Sequence, residues 1–213
     1  MPLYKTITVN DRTKVLIWKI EESFEALSEG ISLTDHCQSR VNGMKSDLHR
    51  RGFMSVRHLL MEVGYTDHDL YYDEKGKPHL RDGKKISITH SYTFSGIIVS
   101  EDEVGIDIEM QRSKILKIAH KFTPIEEYRT LANDDAIMRK LTMVWGAKES
   151  LYKSFAEKGV SFLQHIYVSD FRLDALETTA DVSFEGKNEN YHVWFLEFEG
   201  FTGAYAVINN GHG

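Results

Sequence analysis

The amino-acid sequence predicts an α+β fold, and three observations predict it. Hydrophobic residues make up 41% and charged residues 27%, with only three prolines in 213 residues, which is the composition of a chain that builds a core. Helical and strand periodicities follow one another along the chain, which closes on a run of strands. Finally, "TFSGIIVS" (93–100) is echoed by "FTGAYAVI" (201–208), with Phe94-Ser95-Gly96 matched by Phe201-Thr202-Gly203 half a chain away. An echo of that period points to two similar α+β lobes packed as a pseudo-dimer. Short glycine-containing strands also coincide by chance, and the length suits one large domain as well as two small ones.

Each element has a local reason. "TKVLIWKI" (13–20) is rich in branched residues and reads as a strand. In "GFMSVRHLLMEVG" (52–64), Phe53, Val56, Leu59, Leu60 and Val63 recur at helical spacing and Gly64 is a stop. "YDEKGKPHLRDGKK" (72–85) is punctuated by Gly and Pro and reads as loop. "KISITHS", "SGIIVS" and "EVGIDIEM" read as strands, and residues 113–121, 124–132 and 135–157 as helices. From 165 onward "HIYVSD", "ADVSFEGK", "YHVWFLEFEG" and "TGAYAVI" form an antiparallel sheet, with "EGK" marking a turn.

Bulk properties exclude several classes. No apolar run approaches the roughly 20 residues of a membrane span, and "MPLYKTITVNDR" has no apolar segment of a signal peptide. Cys37 is the sole cysteine, which leaves no intrachain disulfide and no cysteine-cluster metal site; a reducing, cytoplasmic setting is the expectation. A net charge of −6 argues against nucleic acid as a partner. The charge is uneven: residues 40–58 hold Arg40, Lys45, Arg50, Arg51 and Arg57 against Asp47, while "SEDEVGIDIE" (100–109) is purely acidic. That pattern suits a local anionic ligand with a cation beside it, and equally ordinary solvated charge.

Within "GIDIE" (105–109), Asp107 and Glu109 are two residues apart on a strand, so they share a face with Cα atoms about 6–7 Å apart. Two carboxylates this close raise each other's pKa unless something positive intervenes. A wet strand face is the simplest explanation. The other is a hard divalent cation, which takes oxygen ligands. The helix over 135–157 offers a third oxygen: at about 100° per residue Trp145, Lys148, Glu149 and Lys153 share one broad face. Glu149 and Lys153 form an i,i+4 pair that on its own means no more than a surface ion pair.

"GIDIE" followed by "WGAKESLYK" (145–153) resembles the two-part signature of the 4′-phosphopantetheinyl transferases, in their longer, monomeric, pseudo-dimeric form. "GKPHL" (76–80), "ISITHSY" (86–92) and "KFTPIEEY" (121–128) resemble three further segments of that family. Thr89 stands where the family more often has Ser or Asn, and keeps a hydroxyl. The resemblance covers residues 76–153 and implies a transferase-like fold of two lobes, 1–102 for the adenine and 3′-phosphate side of coenzyme A and 103–213 for the metal, the catalytic helix and carrier docking, with the active site at the lobe interface. It implies transfer of 4′-phosphopantetheine from coenzyme A, as co-substrate, to a serine of an apo acyl or peptidyl carrier protein, releasing adenosine 3′,5′-bisphosphate.

By the same resemblance, Asp107, Glu109 and Glu149 hold Mg²⁺, Glu149 is the general base, Lys153 neutralises a phosphate, and His90 donates to a phosphate oxygen. Lys77 and Pro78 line the adenine end with Thr89 nearby, and Glu127 is an acid near the site. Lys45, Arg50, Arg51 and Arg57 are the bases available for the 3′-phosphate, with Arg57 preferred. Lys148 braces Glu149 or the carrier. The carrier docks on the second lobe, with Lys114, Lys117 and Lys121 among Ile115, Leu116 and Ile118 as candidates. A metal-dependent phosphodiesterase using the same carboxylates, and an inactive scaffold that binds coenzyme A or a carrier, are the competing readings.

Overall fold

The computed structural model describes residues 3–124 and 133–210. Glu127 and residues 125–132 of the helix expected over 124–132 lie outside them. Contacts divide the chain into two units, Met1–Asp102 and Glu103–Gly213. Each is an antiparallel sheet with helices, which makes the chain α+β as predicted.

In the first unit a hairpin, β1 (Leu3–Asn10) and β2 (Thr13–Lys19), precedes three helices, α1 (Phe24–Ser28), α2 (Asp35–Gly43) and α3 (Asp47–Glu62). Four strands follow: β3 (Leu70–Tyr72), β4 (Pro78–Leu80), β5 (Lys85–Ser91) and β6 (Phe94–Ser100). The sheet order is β1-β2-β6-β5-β4-β3. Each helix starts at a hydroxyl that takes an otherwise orphan backbone N–H: Ser23 for α1, Thr34 for α2 and Ser46 for α3. The core gathers Leu16, Trp18, Met54, Leu59, Leu60, Ile86 and Ile97. Residues 72–85 are not all loop, because Pro78–Leu80 pair with both β3 and β5. A three-residue strand is too short to show a period of two.

An ion pair inside this core fixes α2 against α3. Arg57, 2% exposed, donates to Asp67 Oδ1 from Nε at 2.9 Å and Nη2 at 2.8 Å, and Thr34 donates to Asp67 Oδ2 from its amide at 2.8 Å and its hydroxyl at 3.0 Å. Thr34 and Arg57 hold the Asp67 carboxyl below the usual range against the opposing effect of burial, which is the largest single influence on it. Asp67→Ala strands a buried guanidinium and is expected to cost about 3 kcal/mol, a fall of roughly 6–12 °C in Tm by thermal denaturation.

The second unit runs β7 (Val104–Met110), α4 (Lys114–Ile118), α5 (Asp134–Phe155), then β8 (Ile166–Val168), β9 (Glu177–Phe184), β10 (Lys187–Phe198) and β11 (Phe201–Ile208), in the order β7-β11-β10-β9-β8. Asn133 caps α5, accepting from Ala136 N at 2.9 Å. Met143, Ala147, Leu151 and Phe155, four apart on α5, pack on Tyr191, Val193, Phe195, Ala204 and Ala206. Two-residue turns join β9 to β10 and β10 to β11: Glu185-Gly186 and Glu199-Gly200 have positive φ at both positions, the conformation that suits the twist of a hairpin.

The two units share one plan. A strand leads into helices, four strands follow, and the last returns to pair with the first: β6 with β2, and β11 with β7. The echoed sequences are those last strands, β6 and β11, and their registers agree, with Gly96 opposite Ile17 and Gly203 opposite Ile108. In that register Leu16 and Trp18 stand where the second unit has Asp107 and Glu109. Both belong to the first unit's core, so only one copy of the repeat carries carboxylates on this strand.

Candidate active site

Pleating sends Gly105, Asp107 and Glu109 to the face of β7 that α5 covers, and Ile106 and Ile108, both buried, to the other. Gly105 allows the helix its closest approach. A Cβ there would lie 1.8 Å from the Ser150 carbonyl oxygen, so no side chain fits while α5 keeps its place. Ser150 Oγ donates to the Ala204 carbonyl at 2.9 Å and ties the helix to β11.

This contact brings the α5 residues to the β7 acids. Lys153 Nζ donates to Asp107 Oδ1 at 2.8 Å and to the Ile106 carbonyl at 2.9 Å, so its ion pair is with the strand rather than the i,i+4 pair with Glu149 that the spacing allows. Asp107 is 5% exposed; Glu109 and Glu149 are half-buried. Burial first, then the charges of Asp107 and Glu149, push Glu109 up to about 7, against partial relief from Arg112 and Lys153. Burial and Asp107 also raise Glu149, with Lys153 opposing. The simple wet strand face is therefore excluded: these are three mutually repelling carboxylates on the covered side of a sheet.

All three supply oxygen, the donor that Mg²⁺ takes, and their repulsion is what a divalent cation relieves. They share a face without closing round a point: among the described residues no three His, Cys, Asp or Glu side chains are arranged as a metal cage, and Lys153 is the cation on Asp107.

Next to Glu109 a groove of about 190 Å³ runs between β7, α4 and α5, lined by Arg112, Lys114, Ile115, Ile118, Thr142 and Trp145 as well as Glu109 and Met110. Trp145 is wedged edge-on against Phe122 at 5.0 Å and lies 5.4 Å from Phe162, so it forms a wall, as its place beside the charged pair predicts. Lys148 turns away to the opposite flank of the helix. It is 4% exposed and donates to the Phe162 and Ile166 carbonyls, both at 2.6 Å, fastening the segment after α5. The 100° between neighbours on a helix separates it from Glu149. Gly105, Arg112 and Thr142 were not singled out by sequence; a glycine inside a strand pattern is the one signal that pointed to close approach.

In the first unit, Thr89 is buried on β5, and His90, exposed, lies against α3, its ring 5.9 Å from that of His49. Lys77 ends the β3–β4 turn, where Asp73 Oδ1 accepts from its amide at 2.9 Å, and Pro78 opens β4. His79 pairs with Lys85, so Thr89 lies four residues further along β5, about 13 Å away at the rise of a strand. These residues are spread along the first unit's sheet and do not converge. Arg57 is the exception and corrects the expectation for it: its donors are taken by Asp67, the Phe53 carbonyl at 3.1 Å and Cys37 Sγ at 3.3 Å, so it is a core ion pair and not a phosphate ligand. Arg50 stacks on Phe24 at 3.6 Å and Arg51 donates to the Ile20 carbonyl at 3.1 Å.

A strand–helix pair carrying Gly-x-Asp-x-Glu against Glu-x-x-x-Lys defines a class. Residues 103–207, nearly the whole of the second unit, match the family model of the 4'-phosphopantetheinyl transferase superfamily. Among curated relatives, the chain is 31% identical over 130 residues to enterobactin synthase component D of Salmonella typhimurium, a match covering 59% of this chain and 55% of the relative. It is 27% identical over 156 residues to the 4'-phosphopantetheinyl transferase gsp of Aneurinibacillus migulanus, covering 70% of this chain and 64% of that one. The chain thus spans about half the length of the first of these relatives.

Proposed function

We propose that the protein transfers the 4′-phosphopantetheine group of coenzyme A to a serine of an apo acyl or peptidyl carrier protein, with Mg²⁺ as cofactor. The observation that supports it most is the carboxylate trio with Lys153 in a unit that matches the model of this superfamily. The similarity to a protein named as a phosphopantetheinyl transferase supports the same activity.

Asp107, Glu109 and Glu149 are the residues that would hold the ion, which supplies a Lewis acid for the pyrophosphate oxygens. In the reaction the serine oxygen forms a bond to the phosphorus nearer the pantetheine. The bond from that phosphorus to the bridging oxygen breaks, and adenosine 3′,5′-bisphosphate leaves. Glu149 accepts the serine proton; burial and the charge of Asp107 raise its pKa, which makes it a stronger base than a free carboxylate. Lys153, anchored by Asp107, stabilises the charge that grows on the phosphate. His90 donates to a phosphate oxygen, while Lys77, Pro78 and Thr89 contact the nucleotide end. The groove beside Glu109, with Arg112 and Lys114 at its rim, receives the carrier's serine segment. The protein works as a monomer in the cytoplasm.

The reading is tested by incubating the protein with coenzyme A, Mg²⁺ and a panel of apo carriers, then weighing the carriers intact. A gain of one phosphopantetheine is expected. Hydrolysed coenzyme A with every carrier unchanged would instead favour a phosphodiesterase. Lys153→Ala is expected to lower kcat by about 100-fold and to change the KM for coenzyme A little, since its charge acts on the transition state. An effect confined to KM removes it from that role.

Metal and pH are linked through Glu109. In the metal-free protein its folded pKa of about 7 lies above the unfolded value of 4.5, so the fold binds the extra proton between those values and loses stability as pH rises through them. A cation on the carboxylates removes that penalty. Adding Mg²⁺ is expected to raise Tm by about 3 °C or more at pH 8 and by less at pH 6, read by differential scanning fluorimetry. Equal gains at the two pH values contradict the linkage.

A further inference from the structure

The basic residues of 40–58 differ sharply in what they already touch. Arg57 is spent on Asp67, Arg51 on the Ile20 carbonyl, and Arg50 on the Phe24 ring. Arg40, on α2, is exposed and makes no ion pair among the described residues, yet it is not loose. Its guanidinium carbon stands 5.5 Å from the centre of the Tyr72 ring and 5.7 Å from that of Phe53, within the range at which an aromatic face attracts a cation. Phe53 is itself fixed from within by Arg57, whose guanidinium lies 3.5 Å from the same ring. Two rings from different elements therefore hold one cation in place with its N–H fork open to solvent.

Its position completes the case. Tyr72 is paired with Pro78 across β3 and β4, so the ring beneath Arg40 and the proline share a face, and Lys77 is the next residue in the turn. A planar fork, desolvated on one side and held without a carboxylate, matches a phosphate monoester, which it can bind through two parallel hydrogen bonds.

We propose that Arg40 is a specificity-determining residue that reads the 3′-phosphate of coenzyme A, at the nucleotide end marked by Lys77 and Pro78. The assignment rests on the transferase reading above for the identity of the nucleotide, and on the two-ring clamp for the choice of residue.

The test compares coenzyme A with 3′-dephospho-coenzyme A as donor for the wild type, Arg40→Met and Arg40→Lys, and measures binding of adenosine 3′,5′-bisphosphate and of adenosine 5′-monophosphate by calorimetry. Arg40→Met is expected to raise KM for coenzyme A by about 10- to 100-fold, the range for loss of charged hydrogen bonds, with kcat and the KM for the dephospho donor unchanged. Affinity for the bisphosphate falls in parallel and that for the monophosphate does not, while Arg40→Lys restores part of the loss. Equal changes for both donors, or undiminished bisphosphate binding, overturn the proposal. If the wild type modifies no carrier, the transferase reading fails, and the two nucleotides still decide the role of Arg40.

Discussion

Asp107→Asn is expected to lower the rate of carrier modification by about 10³-fold or more in a protein that still folds. The side chain keeps its shape and loses the charge that two functions share. It is the most enclosed of the three acids, at 5% exposure, and it holds Lys153 at 2.8 Å. Loss of one charge-stabilising group at a reacting phosphate commonly removes 10²- to 10³-fold, and here the substitution weakens the cation site and releases the lysine together. Stability moves little, because the change also relieves Glu109 and Glu149, both of which Asp107 pushes up. Steady-state rates and a melting curve check both halves. A slow enzyme with its Tm lowered by about 10 °C would make Asp107 a structural residue; a rate near normal would remove it from the site.

Gly105→Ala is expected to act on the fold and on the chemistry at once. One methyl group at 1.8 Å from the Ser150 carbonyl has no rotamer that avoids the clash, since both sides are backbone. Helix α5 has to move away from β7, which breaks the packing of Met143, Ala147 and Leu151 on the sheet and lengthens the contact from Lys153 to Asp107. Overpacking of this kind costs about 3 kcal/mol or more, a fall of roughly 6–12 °C in Tm for a chain of this size. Carrier modification is expected to fall with it by at least about 100-fold. Gly146→Ala is the control: its Cβ meets Ala204 Cβ at 3.2 Å and Asp107 Oδ2 at 3.9 Å, so a shift of a few tenths of an ångström accommodates it. Equal effects for the two substitutions would refute the role given to Gly105.

The long, periodic elements were legible in the sequence. Helix α5, most of α3, and strands β5 and β7 each carry enough residues for a period to register, and β6 and β11 read as nearly continuous buried runs. The short ones were not. Helix α1 has five residues and β4 three, and β1 mixes exposed residues with half-buried ones and has none fully buried. The half-chain echo found the two equivalent strands, β6 and β11, whose glycines hold the same register against the strand that precedes the helices.

The site was legible as a set of residue types and not as a set of directions. "GIDIE" and "WGAKESLYK" named the acids and the lysine that share one face. Helical angle alone could not tell that Lys148 turns to the Phe162 and Ile166 carbonyls. Nor could charge tell a buried arginine from an exposed one. Arg57 is the preferred phosphate ligand by sequence, with Arg40 outside the candidate set, and only the structure shows Asp67, ten residues away, closed on it.

Asp107, Glu109 and Glu149 are proposed to act together as one divalent-cation site. Titration with Mn²⁺, followed by electron paramagnetic resonance, tests it most directly on the wild type, Asp107→Asn and Glu149→Gln. One bound ion per chain is expected in the wild type, displaced by Mg²⁺, and weakened by at least about 10-fold in each variant. Unchanged stoichiometry and affinity in both variants would place the ion elsewhere and leave the three carboxylates without the role assigned to them.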